Sequence, residues 1–211
     1  MLATNHFESP ARGRRQTHGI GVAALRVLLI AAMWTSGPAG AQTPETVPAK
    51  AASCAPCHGP TGQAPTPMFP DLAAQTPRYL YLQLRDFQEG RRINELMAPV
   101  LVGMTRDEMR ELADYYGRQK PRRQTFVVDE AKAQHGKQKA DETLCTMCHL
   151  GGFLGQNEIP RVAGQNYDYI VKQLNDFKAR RRTNDAGSMT SVAGTLNADD
   201  IEHLAQYLVG L

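Results

Sequence analysis

The sequence predicts an all-α protein built from one helical unit used twice. Three observations predict it. Apolar residues recur at helical spacing, no stretch sustains a period of two, and a long run of identities returns about ninety positions further on.

Residues 1–41 read as a secretory signal. Arg12, Arg14 and Arg15 form a basic start, residues 27–34 (VLLIAAMW) are a short apolar run, and residues 39–41 (AGA) match a small-residue cleavage site. The apolar run is too short to span a bilayer, which takes about 20 residues. Cleavage near Ala41 removes four of the 24 basic residues (Arg12, Arg14, Arg15, Arg26) and one of the 21 acidic residues (Glu8), which leaves the two equal. A neutral mature chain lacks the electrostatic support for nucleic-acid binding.

The repeat gives the order of elements. Cys145 lies 91 positions beyond Cys54. At an offset of 90, Pro70, Ala73, Gln75, Tyr79, Gln83, Leu84, Asp86, Phe87, Arg91, Arg92 and Asn94 recur as Pro160, Ala163, Gln165, Tyr169, Gln173, Leu174, Asp176, Phe177, Arg181, Arg182 and Asn184. A short helix is expected to run into each cysteine pair, clearest from 129 to about 140. Leu80, Leu84 and Phe87, like Ile170, Leu174 and Phe177, fall at i, i+4, i+7 and predict an amphipathic helix in each half, with Thr76 as N-cap and Pro77 at N1 in the first. A closing helix carries Met109, Leu112, Ala113 and Tyr116, and in the second half Ile201, Leu204, Ala205 and Leu208. Thr105 and Glu108 have capping-box spacing, and Asn197 is the matching cap. The stretch KPRRQTF at 120–126 has proline, charge and no periodicity. The predicted organisation is therefore a signal (1–41), a first domain (42–120), a linker (121–126) and a second domain (127–211). Each unit has only about 80 residues, near the lower limit for an apolar core alone, and a large buried prosthetic group would supply what is missing.

All four cysteines fall in two copies of Cys-x-x-Cys-His: Cys54, Cys57 and His58, then Cys145, Cys148 and His149. A disulfide framework explains neither the histidines nor the repetition, and a bridge inside Cys-x-x-Cys closes too small a loop to stabilise much. A four-thiolate zinc site would leave the histidines idle. A thioredoxin-like pair lacks its strand-rich context. Covalent c-type haem uses every residue of the pattern. The two thiols add to the vinyl groups of one haem, and the histidine is held beneath the iron. Two motifs imply two haems.

A sixth iron ligand can be methionine sulfur, a second histidine, or nothing, with different functional consequences. The repeat chooses among the methionines. After the shared Arg-Arg-x-Asn, Met97 aligns with Met189, whereas Met104 and Met109 align with Leu196 and Ile201 and read as core. Met68 and Met147 have no methionine counterpart, and Met189 is the only methionine after His149. Both candidates are expected in a loop ahead of the last helix. His135 and His203 have no partner in the repeat and read as exposed helical histidines.

The stretches "CAPCHGPTG…FPDLAAQ…YLYLQLRDFQEGRR…M" and "CTMCH…IPRVAGQ…YIVKQLNDFKARRRTND…M" resemble the two-haem cytochrome c4 family over essentially the whole mature chain. The resemblance implies two tandem class I cytochrome c domains related by a pseudo-twofold, with haem propionates facing the junction. It carries thioether attachment to Cys54, Cys57, Cys145 and Cys148, and iron ligation to His58 with Met97 and His149 with Met189. One departure is visible: the helix before Cys54 is short and has Pro48, where the family has a fuller helix with a glycine.

Iron filled by histidine and methionine binds no substrate and favours electron transfer. The expectation is a periplasmic electron carrier, not an enzyme, at most peripherally associated with the membrane. The resemblance implies donors such as a quinol-oxidising complex and acceptors such as a terminal oxidase. The alternatives are a cytochrome subunit bound to a dehydrogenase, and a dihaem oxidoreductase with one exchangeable iron site. Arg91, Arg92 and Arg180 to Arg182 read either as solvated helix-end charge suited to a C-terminal dipole, or as groups that pair with propionates or dock a partner.

Overall fold

The computed structural model describes residues 46–211, so the secretory signal lies outside the described residues. Nine helices occur among them, and no strand. In the first half these are α1 (Ala51–His58), α2 (Pro77–Gln88), α3 (Met97–Val100) and α4 (Arg106–Arg118). The second half has α5 (Glu130–Glu142), a 3-10 turn at Cys145–Met147, α6 (Leu150–Phe153), α7 (Tyr167–Lys178), α8 (Ser188–Thr195) and α9 (Ala198–Val209).

Local chemistry explains most boundaries. Pro77 opens α2 at the first helical position, where a missing N–H costs nothing. Thr105 and Glu108 form a reciprocal capping box at α4, Asn197 and Asp200 form another at α9, and Asp129 caps α5. Thr76 departs from its expected role, because its hydroxyl donates to Asn157 O of the other half instead of capping α2. The helix expected to run into Cys54 instead contains both cysteines and ends at His58. Lys50 precedes its first residue, and Ala51 N donates to Pro48 O at its start. In the second half the expectation holds, since α5 ends at Glu142, just ahead of Cys145.

Each half has its own core. Leu80, Met109, Leu112 and Tyr116 anchor the first, with Ala51 of α1 packed among them; Ile170, Ile201, Leu204 and Leu208 anchor the second, with Ala140 of α5. Met104 and Met109 are buried, as the repeat alignment predicts, and Met68 and Met147 are exposed. The crossing of α5 with α9 is close at Gly136. A Cβ built there would lie 2.0 Å from His203 O.

The halves meet through reciprocal polar contacts. Gln75 Nε2 donates to Arg161 O and its Oε1 accepts from Arg161 N. Gln165, ninety positions on, makes the same pair of bonds to Asp71. This is the signature of a pseudo-twofold, in which each half contacts the other with the same residues. Residues 120–126 are strapped down, not loose: Arg122 donates to Ala64 O and Asp71, Gln124 to Gly164 O, and Phe126 stacks on Tyr167 at 4.9 Å.

Candidate functional site

The two motif histidines are held in one way. His58 closes α1 and His149 precedes α6. His58 Nδ1 lies 2.9 Å from Pro70 O, and His149 Nδ1 lies 2.9 Å from Pro160 O. A carbonyl only accepts, so Nδ1 carries the hydrogen and Nε2 keeps its lone pair. Burial pushes both imidazoles below their ordinary pKa, and the proline carbonyls only partly offset it. Two neutral rings, each with a fixed tautomer and a basic nitrogen, are what iron ligation requires.

No two of the four cysteines are joined as a disulfide. Cys54 and Cys57 lie on α1, Cys145 lies in the 3-10 turn, and Cys148 follows it. Burial raises the Cys54 and Cys145 thiols, which keeps them protonated at neutral pH. The four sulfurs do not converge, and among the described residues no group of three or more His, Cys, Asp or Glu side chains is placed to hold a metal ion. The geometry therefore offers no four-thiolate site.

The methionines differ from expectation in their local structure. Met97 is the first residue of α3 and Met189 the second of α8, so both sit in short helices, not open loops. Asn94 Oδ1 accepts from the backbone N–H of Leu96 and Met97, each at 3.0 Å. In the second half Asp185 does the corresponding work, accepting from Thr190 N at 2.6 Å and Thr190 Oγ1 at 3.1 Å. Met97 and Cys54 pack against the same core cluster. His135 and His203 stack on each other at 5.4 Å where α5 crosses α9, away from either motif.

The arginines divide. Arg91 and Arg181 are half-exposed and pair with Asp86 and Asp176, the solvated reading. Arg92 and Arg182 are buried at 9 % exposure, which corrects that reading for them. Arg92 donates to Gln83 of its own half and to Tyr169 and Gln173 of the other. Arg182 donates to Gln173 and, across the junction, to Tyr79 and Gln83. Asn184 adds bonds to Gln83 and Asp86. Sequence reasoning missed this network. Its signal was the recurrence of Tyr79, Gln83 and Arg92 as Tyr169, Gln173 and Arg182, polar identities that a core does not need.

These residues fit a haem in each half. Two buried guanidiniums meet at the junction with no carboxylate among their partners, and an isolated buried charge is costly; propionates are the anions such a site suits. The Tyr116 hydroxyl, buried beside Cys54, has no well-formed hydrogen bond. With the fixed histidines and paired thiols, the donor set matches covalent haem c.

No protein-family model matches the chain. Cytochrome c4 of Pseudomonas aeruginosa is 35 % identical over 172 residues, covering 77 % of this chain and 86 % of that protein. The thiosulfate dehydrogenase electron acceptor of Thiomonas intermedia is 30 % identical, covering 87 % of this chain and 89 % of that protein. The crystal structure of reduced recombinant cytochrome c4 from Pseudomonas stutzeri superposes with a TM-score of 0.71 at 33 % identity, covering 79 % of this chain and 98 % of that one. Fold and site together define a two-domain class I cytochrome c, an electron carrier with two covalent haems. The chain belongs to the cytochrome c4 family.

Proposed function

We propose that the chain works in the periplasm as a carrier that takes electrons from one redox protein and passes them to another without turning over a substrate. Cys54 and Cys57 attach the first haem and Cys145 and Cys148 the second. His58 with Met97, and His149 with Met189, would ligate the two irons. The working boundaries are a signal removed near Ala41, a first domain at 42–120, a linker at 121–126 and a second domain at 127–211. Haem iron supplies a one-electron couple whose potential the methionine sulfur raises relative to two histidines.

The protein's own residues orient and shield that couple. Pro70 and Pro160 fix the imidazole tautomers, which leaves the Nε2 lone pair of each ring available to an iron. Asn94 and Asp185 hold the segments that bear the methionines. Arg92 and Arg182 bring buried positive charge to the junction, which favours the more electron-rich state of nearby groups. The single observation that carries the reading is the matched pair of neutral, tautomer-fixed histidines.

The similarity to a thiosulfate dehydrogenase electron acceptor supports a dehydrogenase among the donors. A dehydrogenase or quinol-oxidising complex delivers electrons, and a terminal oxidase removes them. Among the described residues no helix is long and apolar enough to cross a membrane. A haem count by pyridine haemochrome should give two per chain. Met97→Ala should open one iron to carbon monoxide and lower that site's potential, with the other nearly unchanged. Peroxide turnover by the unaltered protein, or carbon monoxide binding to it, would defeat the carrier assignment.

A further inference from the structure

Four arginines of the first half converge on one tyrosine. The guanidinium carbons of Arg78 and Arg85 on α2 and Arg110 on α4 stand 5.8, 5.9 and 5.3 Å from the Tyr81 ring centre. Arg106 Nη1 donates to the Tyr81 hydroxyl at 3.3 Å. Local carboxylates, Asp114 of the cleft among them, balance them only in part. Glu89 is shared between Arg91 and Arg106, and Asp107 pairs with Arg110. Among the described residues Arg78 and Arg85 have no ion-pair partner, and Arg85 Nε is buried without an acceptor. A buried donor left unpaired is destabilising.

The surface here is concave. A cleft of about 300 Å³ between α2 and α4 is lined by Pro77, Arg78, Tyr81, Arg85, Arg110 and Asp114. The repeat supplies an internal comparison. Where the first half has Arg78, Tyr81, Arg85, Arg106 and Arg110, the second has Asp168, Val171, Asn175, Ala198 and Glu202. Four positive charges at matched positions become two negative ones on the same helical framework. Neither packing nor haem attachment calls for the arginines, since the second half forms the same helices without them.

We propose that the α2–α4 cleft of the first half docks an acidic segment of a redox protein partner, whose carboxylates enter the arginine cage around Tyr81. This rests on the electron-carrier reading and adds to it which half meets the partner. Guanidinium forks recognise carboxylates in bidentate fashion, and neither Arg78 nor Arg85 has an ion-pair partner among the described residues to compete with an incoming one. A lipid surface suits the cleft less well. Interfacial helices insert large apolar side chains, and none of the exposed large hydrophobic residues lies on α2 or α4.

The test uses the two-haem protein and a deca-glutamate peptide as probe, titrated by nuclear magnetic resonance. Ionic strengths of about 0.01 M and 0.15 M give screening lengths of about 30 and 8 Å. The peptide should shift the Tyr81 ring and Arg85 Nε signals, and bind at least about tenfold more weakly at the higher salt. Arg78→Gln combined with Arg110→Gln should weaken it about tenfold, while Lys132→Gln with Lys172→Gln in the second half should change it less than about twofold. An unchanged haem spectrum and helical circular dichroism certify each variant as folded, and Arg85→Gln gives a second, independent loss at the cleft. Full affinity in the first-half variants, no binding at low salt, or shifts that map to the second half would overturn the proposal. Tighter, variant-sensitive binding to phosphatidylglycerol vesicles than to the peptide would also overturn it, by assigning the cleft to a membrane. The readout is not redox, so a failed docking site stays distinct from a failed carrier assignment, which haem count and carbon monoxide binding decide.

Discussion

Replacing Gly136 by alanine tests how the second half is held together. Alanine is the better helix former by about 1 kcal/mol, so propensity alone predicts that Gly136→Ala stabilises α5. Packing predicts the opposite. The added Cβ would lie 2.0 Å from His203 O, 2.5 Å from His203 C and 3.0 Å from Leu204 N, all backbone atoms of α9 that cannot rotate away. Restoring an ordinary 3.4 Å contact takes a separation of about 1.4 Å, which opens the interface where Ala140, Ile201 and Leu204 are buried. Overpacking of this kind costs about 1–3 kcal/mol, and occasionally more. Against a backbone clash the upper part of that range applies, so the net loss should be about 2 kcal/mol after the propensity gain. For a unit of this size that lowers the melting temperature by roughly 8–16 °C. Differential scanning calorimetry of the haem-loaded protein measures it. Gly194→Ala is the control, because a Cβ there meets open space and should stabilise α8 by up to about 1 kcal/mol. A Gly136→Ala protein as stable as the parent would refute the argument that this crossing is limited by backbone contact.

Arg92→Lys should cost about 2–3 kcal/mol in denaturant unfolding, since an ammonium cannot span Gln83, Tyr169 and Gln173 together; a double-mutant cycle with Arg182→Lys should give a coupling above about 0.5 kcal/mol. The Asp185 carboxyl is raised by burial, but the hydrogen bonds from Thr190 and from the backbone at Gly187 and Asp185 together lower it more, so it sits below the usual range. Its stabilisation is full above the unfolded carboxyl pKa of about 3.9 and is lost as pH falls through the folded value. On the proposed methionine ligation, acid titration should therefore erase the far-red sulfur–iron band of the second haem before that of the first, whose segment is held by the uncharged Asn94, and simultaneous loss would refute the assignment. Asp71 has the opposite sign. Burial raises it more than the bonds from Ala64 and Arg122 lower it, so its contribution is full below the unfolded pKa and is lost as pH rises through the folded value. Asp71→Asn should flatten stability over that rise in a pH series of melting curves.

The helices with strong periodicity were legible in the sequence because their boundaries are local chemistry. Thr105 with Glu108 and Asn197 with Asp200 cap where their spacing says, and Met104 and Met109 are buried as the repeat alignment requires. The cysteine–histidine pattern was legible because it is contiguous. What was hidden depends on which side of a helix end faces the other half. Arg91 and Arg92 are neighbours of identical type. One turns to Asp86 and solvent, the other into the junction, and no one-dimensional pattern separates them. Thr76 likewise has the right type and place for a cap, yet its hydroxyl is taken by Asn157 from 81 residues away. The first helix was misplaced because the cysteine motif itself takes up helical conformation, from Ala51 to His58.

The reciprocal bonds of Gln75 and Gln165 have an evolutionary consequence. A surface that recognises its own twin-related image needs no second gene product: one ancestral unit could have paired with another copy of itself. Fusing the copies through residues 120–126 turns an encounter between molecules into one within a molecule, at effective concentrations of order millimolar. Once tethered, the copies were free to diverge wherever they do not touch, and the arginine-rich and acidic outer faces of the two halves record that freedom.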